Sequence, residues 1–125
     1  MSSRSTRRYL NDILKSCDRI REYLDGVTLE DYLSASMRQD AVERQLQILT
    51  EAAFRLGDEA ARLCPTVDWR SIRGLGNFLR HEYDKITPEI IWGKLHNDLP
   101  VLEEAVKVAL LANPDPDPAH MEPLP

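Results

Sequence analysis

Apolar side chains recur along most of the chain at the three- and four-residue steps that place them on one side of an α-helix. The first stripe predicts an amphipathic helix that ends near Gly26, and it consists of Leu10, Ile13, Cys17, Ile20 and Leu24. No segment of the sequence alternates between apolar and polar residues over the length of a strand. The pattern therefore predicts an all-α protein, an up-down bundle of four to five helices joined by short connections.

The longest apolar stripe predicts the second main helix. Ser36 and Gln39 form a capping-box pattern at its start, and Pro65 is expected to end it. Its apolar positions keep a four-three alternation: Val42, Leu46, Leu49, Ala53, Leu56, Ala60 and Leu63. Packing against other helices accounts for such a stripe without any ligand. A second capping-box pattern at Thr28 predicts a short helical turn before it.

Two further helices are predicted in the second half of the chain. Asp68 can cap a helix that runs from Trp69 toward Tyr83. Its apolar side is expected to hold Ile72, Leu75, Phe78 and Leu79. Thr87 can cap the last helix, with a proline in its first turn. The apolar stripe of this helix is Ile91, Leu95, Leu99, Leu102, Val106 and Leu110. Pro100 within it should produce a kink near residues 96–99.

The end of the chain differs in composition from the rest. Five of the eight prolines stand between positions 112 and 125, where there is no Lys or Arg. The three acidic residues there, Asp115, Asp117 and Glu122, account for three of the five net negative charges. We therefore expect one helical domain over residues 1–111 and a flexible, acidic, proline-rich tail over residues 112–125.

Charge and composition narrow the range of functions. Lys and Arg number 16 against 21 Asp and Glu, so the net charge of −5 disfavours indiscriminate binding of nucleic acid, and any RNA contact must be local. No apolar stretch approaches the roughly 20 residues that span a bilayer, and the amino terminus lacks the apolar core of a signal peptide. We expect a cytoplasmic protein without a membrane partner. Cys17 and Cys64 lack metal-ligand spacing and are expected to be buried thiols.

The helix that follows Asp68 carries the densest set of groups capable of chemistry. Its polar face holds, at steps of three or four residues, Arg73, Asn77, Arg80 or His81, and Asp84. Arg73 and Arg80 could both bind a phosphate, histidine is suited to proton transfer near neutral pH, and Tyr83 offers a hydroxyl. On residue chemistry alone, a solvated polar face is the alternative.

Two glycines in the same helix indicate close approach by another group. Gly74 and Gly76 each cost the helix about 1 kcal/mol relative to alanine, so their lack of a side chain is expected to serve a purpose. The approaching group could be a neighbouring helix of the bundle, the same helix of a second subunit, or a phosphate backbone. The sequence does not choose among these three.

Three segments resemble HEPN proteins of the HepT-like family. WRSIRGLGNFLRHEYDKI resembles the family's signature segment, a tryptophan-led helix that ends in a histidine, one further residue and a tyrosine. QDAVERQLQILTEAAFRL is similar to the second long helix of that family, and IIWGKLHNDLPVLEEAVKVAL is similar to its last helix. The resemblance implies a homodimer of helical bundles in which the motifs of both subunits face one cleft, which would double a weak local positive charge.

The resemblance also implies an activity. Such proteins are toxins of bacterial toxin–antitoxin pairs that cleave RNA without a metal or other cofactor. In this chain, His81 would transfer a proton and an arginine would stabilise the charge that builds on the phosphorus. Asn77 and Arg70 are expected to bind RNA or support the site. The antitoxin would be a minimal nucleotidyltransferase (MNT type), which silences the toxin by transferring AMP from ATP to Tyr83.

One departure from the family pattern concerns the arginine. The positions at which the family carries it before the histidine are occupied here by Gly74, Leu75 and Gly76. Arg73 lies one residue too far from the histidine and Arg80 is adjacent to it, so one of them must substitute or the nuclease activity is lost. The alternative function is therefore a non-catalytic HEPN interaction subunit that keeps the dimer, the tyrosine and the nucleotidyltransferase partner.

Overall fold

The computed structural model describes residues 2–81 and 87–114. Within these ranges the chain forms four long helices and two short ones and no strand. The helices are α1 (Ser3–Leu24), α2 (Leu29–Leu33), α3 (Ser36–Leu56), α4 (Asp58–Leu63), α5 (Trp69–His81) and α6 (Pro88–Ala112). The predicted all-α helical bundle is confirmed. The expected tail lies, from residue 115 onward, outside the described residues.

Side-chain caps fix three of the helix starts where the sequence predicted them. Thr28 and Asp31 form a reciprocal capping box at α2, with the Thr28 hydroxyl accepting from the Asp31 amide at 3.1 Å. The Asp68 carboxylate accepts a hydrogen bond from the amide of Ser71 at 3.1 Å. The Thr87 hydroxyl caps α6 in the same way. Each cap satisfies a backbone donor that the first helical turn leaves unpaired.

The predicted start of α3 was wrong in its detail. Ala35, not Ser36, is the N-cap residue, and it makes no side-chain capping hydrogen bond. The side chain of Gln39 instead donates to the backbone carbonyl of Tyr32 at 2.8 Å, across the α2–α3 turn. Gln39 therefore connects the end of α2 to α3, a use that the capping-box pattern did not reveal.

The predicted end of α3 at Pro65 was also wrong. The helix ends at Leu56, because Gly57 adopts a φ of 56°, a backbone conformation that glycine tolerates and that interrupts the helix. The separate helix α4 follows. The apolar stripe continues in phase across this break, since Ala60 is buried like the residues of α3. Hydrophobic periodicity alone therefore could not show the interruption.

The core follows the apolar stripes in two adjoining clusters. The first lies mainly between α1, α3 and α6 and includes Leu10, Ile13, Cys17, Leu49, Leu56 and Val106. The second surrounds the fully buried Tyr32 and includes Ile20, Val42, Leu46, Leu75, Leu79 and Leu95. α6 continues through Pro100 as one helix. The buried carboxylate of Glu103 pairs with Arg21, which ties α6 to α1.

Both cysteines are buried free thiols, as predicted. Burial, assisted by the charge of Asp18, raises the pKa of Cys17 to about 12. Burial likewise raises the pKa of Cys64. The folded protein therefore holds protons that the unfolded chain releases at moderately alkaline pH.

Alkaline pH should consequently destabilise the fold. The pKa of Cys17 is about 12 in the folded protein, against an ordinary value of 9.0. Its contribution to stability is fully present below the unfolded pKa and is lost as the pH rises toward 12. The free energy of unfolding should fall by about 1 kcal/mol between pH 8 and pH 10 through this thiol alone. Urea denaturation at both pH values measures it, and Cys17→Ala should reduce the difference. If the loss of stability between pH 8 and pH 10 is the same in Cys17→Ala as in the wild type, the Cys17 thiol is not its cause.

Candidate functional site

Helix α5 is fixed in the bundle by its first residue and by its apolar side. The indole of Trp69 is buried and donates a hydrogen bond to the carbonyl of Cys64 at 2.9 Å. Ile72, Leu75 and Leu79 point into the core, as predicted. The opposite side of α5 is left facing solvent, so its polar groups are displayed on a rigid element.

Gly76 is the point of closest approach between α5 and α3. A Cβ atom at this position would lie 2.7 Å from the Cβ of Thr50, closer than real Cβ contacts allow. Thr50 cannot easily yield, because its side chain is buried and its hydroxyl donates to the carbonyl of Leu46 at 2.8 Å. Close packing within the bundle therefore accounts for Gly76. It does not account for Gly74, where a Cβ would meet nothing within 4 Å.

The two glycines should respond in opposite ways to alanine. Gly76→Ala should lower the free energy of unfolding by about 2 kcal/mol, because overpacking against Thr50 outweighs the gain in helix propensity. Gly74→Ala should raise the free energy of unfolding of a single subunit by about 1 kcal/mol, since the added methyl group meets no atom of that subunit within 4 Å. Denaturant unfolding of the two variants checks this. A stabilised Gly76→Ala protein would show that α3 and α5 do not approach each other as described.

Arg80 is held over α3 by two hydrogen bonds. Its Nη1 donates to Oε2 of Glu51 at 3.0 Å, and its Nη2 donates to Oδ1 of Asn77 at 3.2 Å. The guanidinium also lies 5.9 Å from the centre of the Phe54 ring, within the range of a cation–π contact. The side chain is nevertheless 37% exposed. Arg80 is thus an oriented cation that a ligand in solvent can reach.

Arg73 is directed elsewhere. Its Nη1 donates to the carbonyl of Gly57 at 3.5 Å, at the junction of α3 and α4. The predicted polar face is therefore divided: Asn77 and Arg80 are joined by a hydrogen bond, and Arg73 connects α5 to the α3–α4 turn. Arg73 is also about 10 Å from Arg80 along the helix axis.

The remaining predicted site residues lie at the two ends of α5. His81 is exposed at the carboxyl end, one residue after Arg80. Arg70 is exposed near the amino end, about 15 Å from Arg80 along the axis, and does not belong to the same cluster. Tyr83 and Asp84 lie outside the described residues. The structure therefore joins Asn77 to Arg80 by a hydrogen bond and leaves His81 exposed at the next position of the same helix.

Two exposed aromatic rings border this cluster. Phe78 was predicted on the apolar side of α5, but it is 43% exposed, so that prediction was wrong. It shares an outward stripe with Gly74 and His81, which lie four residues before it and three after it. Phe54 on α3 is 61% exposed beside Arg80. The polar cluster therefore lies within a surface that is partly apolar.

Sequence reasoning missed the contribution of α3 to this site. Glu51 and Phe54 position Arg80, and Thr50 determines where α5 lies. The one local signal was the i,i+4 spacing of Glu51 and Arg55, which do pair at 3.0 Å. That spacing is typical of a surface ion pair and gives no sign that Glu51 also binds an arginine of another helix.

No helix in the described part of the chain is both long and apolar enough to cross a membrane. Among residues 2–81 and 87–114, no three His, Cys, Asp or Glu side chains lie together as a group that could hold a metal ion.

The fold and the site define a class of protein: an all-α bundle that displays asparagine, arginine and histidine on the solvent-facing side of a half-buried helix. Comparison with known proteins identifies the family. The sequence profile of the ribonuclease HepT-like family matches residues 13–109, and the chain belongs to this family. The resemblance seen in the sequence is confirmed.

Several relatives carry ribonuclease names. The chain is 33% identical over 107 residues to a candidate RNase of Caldanaerobacter subterraneus subsp. tengcongensis, covering 86% of this chain and 96% of the relative. It is 29% identical over 108 residues to a candidate RNase of Methanocaldococcus jannaschii, covering 86% and 99%. It is 31% identical over 100 residues to a candidate ribonuclease HepT of Thermococcus cleftensis, covering 80% and 91%. No solved structure matched the chain.

Proposed function

We propose that this protein is an RNA endonuclease that needs no metal ion and acts through Arg80 and His81. The observation that carries the proposal is that α5 ends in an oriented, accessible guanidinium, that of Arg80, followed by the exposed His81. Membership of a ribonuclease family supports it. Arg80 takes the role of the arginine that is missing from the family's usual positions.

The proposed reaction uses the 2′-hydroxyl of RNA. His81 accepts the proton of this hydroxyl as its oxygen forms a bond to the neighbouring phosphorus, and a proton is returned to the 5′-oxygen as its bond to phosphorus breaks. The products are a 2′,3′-cyclic phosphate and a free 5′-hydroxyl. Arg80 has five N–H donors, of which Glu51 and Asn77 engage two, so others remain for the phosphate oxygens.

Two copies of the chain are proposed to share one cleft. Gly74 has open space where a side chain would be, and Phe78 is exposed beside it, so this stripe of α5 suits close contact with a second subunit. Pairing would bring two weakly basic clusters together and offset the acidic total charge. Light scattering should show a dimer without any partner, and Phe78→Glu should produce a monomer. A wild-type protein that is strictly monomeric would contradict a composite cleft.

Cleavage of RNA tests the proposed activity. The purified protein should cut a single-stranded RNA in EDTA, leave the all-deoxy oligonucleotide of the same sequence intact, and yield cyclic-phosphate ends. The deoxy substrate is the matched control, because it lacks only the attacking hydroxyl. Absence of cleavage and of toxicity on expression would instead support a non-catalytic interaction subunit.

We further propose that the protein is the toxin of a cytoplasmic toxin–antitoxin pair, silenced by an MNT-type nucleotidyltransferase that transfers AMP to Tyr83. Tyr83 follows His81 by two residues, so an attached AMP would place a negative phosphodiester and a bulky base near Arg80. The modification should therefore block RNA without unfolding the chain. A substitution that removes the hydroxyl of Tyr83 should prevent the modification and keep the protein active.

Co-expression with the nucleotidyltransferase tests this regulation. Peptide mass spectrometry should find AMP on Tyr83, and the Tyr83→Phe protein should carry none and remain toxic. Tyr32 serves as an internal control, because its side chain is fully buried and cannot be modified in the folded protein. AMP on Tyr9 or Tyr23, or none with an active partner, would overturn the assignment.

A non-catalytic interaction subunit is the second candidate. The observation that favours it is the absence of arginine from the three positions at which the family carries it. These positions hold Gly74, Leu75 and Gly76, of which Leu75 and Gly76 are buried in the bundle. A protein that forms the dimer and the partner complex but cuts no RNA would establish this function.

A further inference from the structure

A polar groove of about 420 Å³ lies between α1 and α3, next to the cluster at the end of α5. Three arginines line it from two helices. The other polar residues of its lining are Tyr9, Asp12, Gln47 and Glu51, so its three guanidinium groups, of Arg8, Arg44 and Arg55, outnumber its two carboxylates. For a chain with a net charge of −5, this is a local concentration of positive charge.

Glu51 connects the groove to the cluster. Its Oε1 accepts a hydrogen bond from Nε of Arg55 at 3.0 Å, and its Oε2 accepts one from Arg80 at 3.0 Å. One carboxylate thus lies between a groove arginine and the arginine proposed to bind the scissile phosphate. Within residues 2–81 and 87–114, the exposed Arg8 and Arg44 form no ion pair with a carboxylate.

Tyr9 adds an aromatic surface to the groove. Its ring centre is 5.1 Å from the guanidinium of Arg8, and its hydroxyl accepts a hydrogen bond from Nη2 of Arg8 at 3.4 Å. Aromatic rings and guanidinium planes are the groups on which unpaired bases stack. This combination favours single-stranded RNA over a duplex, whose bases are already stacked.

We propose that the α1–α3 groove binds the backbone of single-stranded RNA and leads it to Arg80, with Arg8 and Arg44 contacting phosphates and Tyr9 stacking on a base. The assignment rests on the ribonuclease function proposed above. Arg44 and Arg55 lie on the same side of α3, about 16 Å apart along the axis. That length corresponds to about five nucleotide steps of a stacked strand, at about 3.4 Å per step.

Equilibrium binding to a 2′-O-methyl RNA oligonucleotide of about 12 nucleotides tests the groove. This probe lacks the attacking hydroxyl, so its binding is measured separately from cleavage. Arg8→Ala and Arg44→Ala should each weaken binding about tenfold, the loss expected for one charge-assisted phosphate contact. Each should also reduce the slope of log affinity against log salt by about 0.7. Circular dichroism confirms that the variants fold.

Arg19→Ala is the matched control. Arg19 is an exposed arginine of α1 that, like Arg8 and Arg44, forms no ion pair within the described part of the chain, but it lies outside the groove. Its replacement should leave affinity and salt slope unchanged. An equal loss in Arg19→Ala would show that only overall charge matters and would overturn the proposed RNA-binding role of the groove.

The remaining outcomes separate the groove from the nuclease. If Arg8→Ala and Arg44→Ala bind RNA like the wild type while the wild type cleaves RNA, the groove does not bind RNA and the ribonuclease function is retained. If both variants lose RNA binding but the wild type cleaves nothing, the groove binds RNA and the nuclease proposal fails. The proposed binding of single-stranded RNA would be overturned by a wild-type protein that binds no RNA at low salt, or that binds a blunt RNA duplex equally well.

Discussion

Replacing His81 by alanine should lower the rate of RNA cleavage by about 10²- to 10⁴-fold, the contribution typical of a positioned general acid–base group. His81 is exposed at the end of α5, beside the oriented Arg80, and no core contact of the helix depends on it. The loss should therefore appear in the cleavage rate and not in stability. Rates measured with a labelled RNA, together with thermal melting, check both expectations.

His96→Ala is the control for this substitution. His96 is the other exposed histidine among the described residues, and it lies on α6 against Trp92. Its replacement should leave the cleavage rate within a small factor of the wild type. If His81→Ala cuts RNA as fast as His96→Ala, the imidazole has no part in catalysis and the proposed site is wrong.

Arg80→Ala should lower cleavage by about 10²- to 10³-fold, the effect of losing one donor that stabilises transition-state charge. Arg80→Lys should recover only part of the rate. An ammonium group cannot bind both Glu51 and Asn77 and also present a planar pair of donors to the phosphate. The same cleavage assay, with substrate concentration varied, separates a loss in rate from a loss in binding.

Arg73→Ala is the informative comparison, since Arg73 was the other arginine that could have substituted. Its guanidinium contacts the carbonyl of Gly57 through a long hydrogen bond and lies about 10 Å from Arg80 along the axis. We expect nearly unchanged cleavage and at most a small loss of stability. The reverse result, activity lost with Arg73→Ala and kept with Arg80→Ala, would assign the role to Arg73.

Packing explains why arginine is absent from two of the three positions at which the family carries it. An arginine at position 76 would place its Cβ against the buried Thr50, and position 75 points into the core. Position 74 alone is open to solvent, and it is occupied by glycine. The packing of α3 against α5 therefore limits where a catalytic arginine can stand on this helix. Arg80 is the exposed arginine of α5 that this packing leaves next to His81.

The sequence by itself determined the helices and most of the core. Helix starts at Thr28, Asp68 and Thr87 were predicted because a side-chain cap acts within one turn of its own chain. The apolar stripes were predicted because helical geometry repeats locally. The same local pattern could not show the break at Gly57, where the stripe continues in phase, nor that Phe78 faces solvent.

The sequence also selected Asn77, Arg80 and His81 as candidates, because they share a polar helical face. Only the tertiary structure decided how they are used. The register of α3 against α5 places Glu51 and Phe54 beside Arg80, leaves Arg73 at Gly57, and gives Gly76 but not Gly74 a packing partner. These contacts join residues far apart in the chain, so no local periodicity or cap encodes them. They follow from the way side chains on two helices fill one another's gaps.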